Sequence, residues 1–122
     1  MQRRALEMLH DESLADHGGA SGLRDEGLLE SALARARNLA EYGEPDFAEL
    51  AAAYGPGAAK NHPFVDGNKR AAFLAVGLFL GLNGYRITAS QAEATVAIFS
   101  LAAGDLDEAA FADWIRHHSI RR

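Results

Sequence analysis

Apolar positions recur at helical spacing along nearly the whole chain, and no two alternating segments pair as a sheet. A first helix over residues 2–17 places Leu6, Leu9, His10 and Leu14 on one side and stops at Gly18-Gly19. A second begins near Asp25, carries Leu28, Leu29, Ala32 and Leu33, and runs to about Arg37. Tyr42-Gly43-Glu44-Pro45 is turn chemistry. A third helix opens near Asp46, with Phe47, Leu50, Ala51, Tyr54 and Ala58 at helical spacing. Gly55-Pro56-Gly57 interrupts it, and a proline inside a helix costs about 3 kcal/mol. His62 to Asp66 is a loop, because Pro63 disfavours helix at the residue before it. A fourth helix opens at Gly67-Asn68, runs to Leu82 and ends at Asn83-Gly84. Ser90 and Glu93 form a capping box for a fifth helix ending at Gly104. Asp105 with Glu108 caps a last one carrying Leu106, Phe111, Trp114 and Ile115. Tyr85 to Thr88 suits an extended conformation, but one such piece makes no sheet.

The fourth helix organises the rest. It has no polar face over Ala71–Leu82, so the other helices are expected to surround it. That stretch is too short for a bilayer, which needs about 20 apolar residues. Gly77 and Gly81, one turn apart, each cost about 1 kcal/mol of helix propensity; close helix packing is the expected reason. Tyr54, Tyr85 and Trp114 read as core rather than interface. The prediction is an all-α fold: a single domain over residues 1–122, with about six helices packed around a buried central one.

Composition narrows the function classes. The chain has 122 residues, enough for one compact domain, and 48% are hydrophobic, which argues against disorder. Twelve Lys and Arg against 17 Asp and Glu give a net charge of −5, the wrong sign for a domain that rides on nucleic-acid backbones. The basic run Arg116, His117, His118, Arg121 and Arg122 reads as a solvated helix end. There are no cysteines, which excludes disulfides, thiolate metal sites and a cysteine nucleophile. This suits a reducing cytoplasm, and the first residues do not have the pattern of a secretory signal.

The chemistry concentrates in Asn61 to Arg70, where a polar loop feeds directly into the most apolar helix. A helix N-terminus presents unpaired N–H groups and the positive end of a dipole, which together attract anions. Lys69 and Arg70 stand in that first turn, where cations oppose the dipole. Stability alone would favour Asp or Glu there, so the pair suggests a bound phosphate. His62 is a candidate base near neutral pH. Asp66 is a candidate oxygen ligand for Mg²⁺. Each has a plainer alternative: Asp66 as the helix N-cap, His62 as a structural loop histidine, Asn68 as a helix-start preference, Phe64 as an apolar anchor. The combination within one short segment favours phosphoryl chemistry.

The run His62-Pro63-Phe64-Val65-Asp66-Gly67-Asn68-Lys69-Arg70 resembles the signature of the Fic/Doc family, in the variant of its Doc (death-on-curing) toxin branch. Gly22 to Ala32 resembles the family's N-terminal segment, and Phe79-Leu80 through Asn83-Gly84-Tyr85 the stretch after its central helix. The resemblance implies an α-helical fold with His62 as the base that activates a target hydroxyl. It implies that Asp66 helps hold Mg²⁺, and that Gly67, Asn68, Lys69 and Arg70 cradle the phosphates of ATP. It further implies phosphorylation of a threonine of elongation factor Tu, arrest of protein synthesis, and inhibition by a Phd-type antitoxin. AMP-transferring members of the family have glycine where this chain has Lys69, and a second arginine where it has Phe73; both differences favour the kinase-like branch. Many Doc proteins have alanine at the position of Gly67. No internal inhibitory helix is evident, so inhibition in trans is expected. AMP transfer and a non-catalytic antitoxin-binding module are the alternatives.

Overall fold

The computed structural model of the protein describes residues 1–122. Seven helices follow in order: α1 (Arg3–His17), α2 (Glu26–Tyr42), α3 (Phe47–Ala52), α4 (Gly55–Asn61), α5 (Asn68–Leu82), α6 (Gln91–Ala103) and α7 (Glu108–His117). Two short strands, β1 (Tyr85–Ile87) and β2 (Ser119–Arg121), pair antiparallel with Arg86 opposite Ile120. The all-helical expectation holds. The predicted third helix, however, is two helices separated by a turn at Ala53-Tyr54.

That break explains Gly55-Pro56-Gly57. Pro56 lies in the first turn of α4, where its missing N–H costs nothing and its fixed φ suits the helix. Its two glycines are demanded by packing. A Cβ on Gly57 would sit 2.4 Å from the Cβ of Ala32 on α2; one on Gly55 would sit 2.8 Å from Leu101 on α6 and 3.0 Å from Phe111 on α7. The short helix α4 therefore threads between α2 on one side and α6 and α7 on the other.

The core is built from two apolar clusters that share α5. Ala72, Val76 and Leu80 face the cluster formed with α3, α4, α6 and α7, while Ala71 and Ala75 face the one formed with Leu6, Leu29, Tyr54 and Phe64. Alanines make up more than half of the first cluster and half of the second, so the helices approach closely. The expectation for Gly77 and Gly81 is corrected: a Cβ on either would meet nothing within 4 Å. Leu82 on the same helix is exposed. The central helix is thus fully buried along one side and half-buried along the other, with exposure only at its ends.

Helix ends follow their caps. Asp25 caps α2 through Leu28 N–H, and complete capping boxes start α3 (Asp46 with Glu49) and α6 (Ser90 with Glu93). The cap of α7 is Asp107, whose carboxylate accepts from Ala110 N–H, rather than Asp105. Helix α2 continues past Arg37 to Tyr42, carried by Ala36 in the core and half-buried Leu39 beside it. The basic C-terminal run is only partly a helix end. After His117 it turns into β2, giving β1 the partner that the sequence did not supply, and Arg122 Nη2 donates to Gly81 O at the end of α5. Tyr54 is buried, Tyr85 stacks on Phe47 with ring centroids 4.0 Å apart, and Trp114 stacks on His118 at 4.5 Å. No helix is long and apolar enough to cross a membrane.

Candidate active site

The segment between α4 and α5 is held from three directions. From one side comes residues 22–25. Arg24 and Asp25 both donate backbone N–H groups to Pro63 O, at 2.7 and 3.0 Å, and Val65 N–H donates to Gly22 O at 3.0 Å. Leu23 and Phe64 face each other across this antiparallel bridge. From within, the Asn68 side chain closes the loop: Oδ1 accepts from Phe64 N–H at 2.9 Å and Nδ2 donates to Phe64 O at 3.0 Å. From α1, the buried His10 stacks on Phe64, with ring centroids 3.9 Å apart, and its Nε2 donates to Asp66 O at 2.7 Å. That acceptor is a carbonyl, so the proton sits on Nε2.

His62 is the C-cap of α4, with φ 52° and ψ 60°, and is the one non-glycine residue of the chain in the left-handed region. This conformation turns the chain out of α4 and leaves His62 exposed at the wall of the groove. Asp66 is also exposed. One carboxylate oxygen accepts from Gly67 N–H at 2.8 Å, the other from Ala20 N–H at 3.4 Å. Asp66 is therefore not the N-cap of α5. Gly67 is, at φ 72°, with no side chain capping the helix. Gly67 answers two constraints, the positive φ and the nearness of His10, whose Nε2 would lie 3.1 Å from an added Cβ.

The backbone N–H groups of Asn68, Lys69 and Arg70 consequently open the helix without intrahelical partners. Lys69 leans toward α6, its ammonium 5.1 Å from the centroid of the Phe99 ring, and Arg70 is exposed. His62, Asp66, Gly67, Asn68, Lys69 and Arg70 all line one groove of about 860 Å³ between α1, α5 and α6, with Phe73 and Phe99 among its apolar walls. The six residues singled out in the sequence thus converge on one cavity. The amide of Asn68, however, is spent on Phe64, so what it offers an anion is its backbone N–H.

The donor set suits a hard cation held mainly by its ligand. No group of three or more His, Cys, Asp or Glu side chains is placed to hold a metal ion. Asp66 is the carboxylate next to the α5 N-terminus, with Glu12 and Asp16 of α1 elsewhere on the groove wall, and a hard cation such as Mg²⁺ held there would complete its shell with ligand oxygens and water.

Two contributors escape a reading of the sequence. His10 was visible as a polar residue on the apolar side of the first helix, which is a signal, though not for a bond to Asp66. Arg24 lies in the Gly22–Ala32 segment that carries the family resemblance, but nothing in its local pattern signals a bond to the His62 loop.

Residues 1–80 match the Fic/DOC family, a span that ends within α5 and contains the whole loop. The chain belongs to the Fic/DOC family. Over 109 residues it is 33% identical to the protein kinase doc of Escherichia phage P1, covering 88% of this chain and 86% of that protein. Over 75 residues it is 43% identical to the toxin Doc of Mycolicibacterium smegmatis, covering 59% of this chain and 57% of that one. Both relatives are Doc proteins, so within the family the chain falls in the Doc branch.

Proposed function

We propose that the protein is the toxin of a toxin–antitoxin pair and phosphorylates a hydroxyl of a protein substrate with ATP and Mg²⁺. The observation that carries this reading is the uncapped N-terminus of α5, with Lys69 and Arg70 in its first turn, opening into the groove that His62 and Asp66 also line. A polyphosphate bound there meets N–H groups, the helix dipole and two cations. Mg²⁺ held with the help of Asp66 would neutralise charge developing on the phosphates. His62 takes the proton from the attacking hydroxyl. That oxygen forms a bond to the γ-phosphorus as the bond from phosphorus to the β-phosphate oxygen breaks, and ADP leaves. Phe73, standing on the groove wall, offers no charge to a second phosphate site, which favours γ-phosphoryl transfer over AMP transfer.

The names of the two relatives, a protein kinase and a toxin, support the same reading. The substrate is a threonine of elongation factor Tu, as the family resemblance implies, and the site of action is the cytoplasm. The groove also has the apolar walls to take the C-terminal segment of a Phd-type antitoxin.

The test is incubation of the purified protein with Mg²⁺ and a bacterial lysate, with γ-labelled or α-labelled ATP. Label is expected to enter one protein from the γ-position alone. His62→Ala is expected to lower the transfer rate by about 10²- to 10⁴-fold, the usual contribution of a general base. Label from the α-position alone would replace kinase chemistry with AMP transfer, and transfer surviving His62→Ala would remove the base.

A further inference from the structure

We infer that Arg24 is a positioning residue for His62, holding it in its left-handed conformation from behind the groove. The inference rests on His62 being the base. Helix α4 ends in a difficult way. Its C-cap is a histidine rather than the glycine that usually takes this conformation, and the last carbonyls of a helix lack intrahelical partners. Arg24 supplies those partners. Its Nε donates to His62 O at 2.5 Å and its Nη2 to Asn61 O at 2.7 Å. Its backbone N–H donates to Pro63 O at 2.7 Å. One residue therefore binds three consecutive carbonyls across the turn that aims the imidazole.

The chemistry fits this use of an arginine. The planar guanidinium offers two donors in a fixed fork, which sets the relative orientation of two neighbouring carbonyls as a single ammonium could not. Its charge also lies at the negative end of α4. Arg24 is itself anchored. The bridge between residues 22–25 and 63–65 fixes its backbone, and Asp25 next to it caps α2. The side chain is not part of the groove wall that His62, Asp66 and Lys69 form, so it acts on catalysis through the backbone of His62 and not by touching ATP or the substrate. Glycine would adopt the turn freely but carries no base. A histidine here needs an outside clamp.

The test compares the parent protein with Arg24→Ala, Arg24→Lys and His62→Ala. The turnover number for transfer is expected to fall about 100-fold in Arg24→Ala, the scale on which a displacement of about 1 Å acts. Calorimetric affinity for ATP-Mg²⁺ should stay within about twofold, since the α5 N-terminus is untouched. Arg24→Lys, able to reach one carbonyl at a time, should fall between. A crystal structure of Arg24→Ala should show His62 leaving positive φ. Thermal unfolding separates this from a structural role: a rate loss matched by loss of folded protein at the assay temperature overturns the proposal, as does unchanged turnover or an unmoved His62. Failure of the base reading looks different, because transfer would then survive His62→Ala whatever Arg24 does, while the crystal structure still reads the clamp.

Discussion

His10 and Asp66 are far apart in sequence yet joined by a bond of 2.7 Å, from the Nε2–H of a buried imidazole to a backbone carbonyl in the loop before α5. The same imidazole stacks on Phe64. Helix α1 thereby fixes the point from which the Asp66 carboxylate is presented. His10→Phe keeps an aromatic ring against Phe64, slightly larger than the imidazole, while removing the donor. Leaving Asp66 O without its partner is expected to lower stability by about 1–3 kcal/mol, read from urea unfolding. His10→Ala should cost more, because it also leaves a cavity against Phe64. Equal stability of His10→Phe and parent would mean that the carbonyl finds water instead.

Gly57 and Gly77, both inside helices, differ in surroundings and in expected effect. Gly57→Ala forces a methyl group against Ala32 at 2.4 Å, a contact with backbone close behind it, and should destabilise by about 1–3 kcal/mol. Gly77→Ala meets open space in the middle of α5 and should stabilise by up to about 1 kcal/mol through helix propensity. Thermal unfolding of the two single variants gives the signs directly. A destabilised Gly77→Ala would show that the space beside Gly77 is occupied in solution.

This contrast also marks what the sequence could tell. Gly77 and Gly81 invite a packing explanation because their helix is uniformly apolar, but apolarity does not say which side faces neighbours. Gly55 and Gly57 flank a proline and read as a break, whereas the structure uses them for contact with Ala32, Leu101 and Phe111. Local rules held for the Ser90–Glu93 box, the helix start near Asp25 and the stop at Gly104, and missed by two residues at α7, which Asp107 caps rather than Asp105. They failed where the determinant is distant, as for β1, whose partner lies at the far end of the chain. At the site, the loop from His62 to Arg70 was legible because its chemistry is contiguous. The clamps from His10 and Arg24 were not, because each is a bond between segments that only the fold brings together.

Asp46 links a helix cap to a tertiary contact and should make stability acid-sensitive. Its carboxylate caps α3 through Glu49 N–H and pairs with Arg116 of α7 at 2.8 Å. The Arg116 guanidinium holds its pKa below the ordinary 3.8; burial opposes this with a smaller effect, and the backbone hydrogen bond from Glu49 adds a still smaller lowering. A depressed folded value means the contribution is complete above the unfolded value and is lost as pH falls through the still lower folded one. Asp46→Asn keeps a capping oxygen but loses the ion pair. At neutral pH it should cost less than about 1 kcal/mol, since the pair is partly exposed, and Asp46→Ala about 1 kcal/mol more for the cap. Urea unfolding of parent and Asp46→Asn, from neutral pH downward, should show the gap narrowing as pH falls through the lowered folded pKa of Asp46. A constant gap would place the effect in the cap alone.

Asn68 lets the loop's architecture be told apart from its phosphate chemistry. Both arms of its amide are committed to Phe64, one accepting from N–H and one donating to C=O. Asn68→Asp retains the acceptor but places a second oxygen against Phe64 O, and it also puts a negative charge at the anion site. Asn68→Ala removes both bonds and adds no charge. If the side chain serves the loop, both variants lose stability, Asn68→Ala by about 1–3 kcal/mol for groups left unpaired, with Asn68→Asp at least as impaired at neutral pH. ATP-Mg²⁺ affinity should then fall steeply only in Asn68→Asp, where repulsion is added, and mildly in Asn68→Ala, whose helix N–H groups persist. A large affinity loss in Asn68→Ala with unchanged stability would instead assign the amide to the phosphates, and would mean that it releases Phe64 when ATP binds. Calorimetry and unfolding on the same two samples decide between these outcomes.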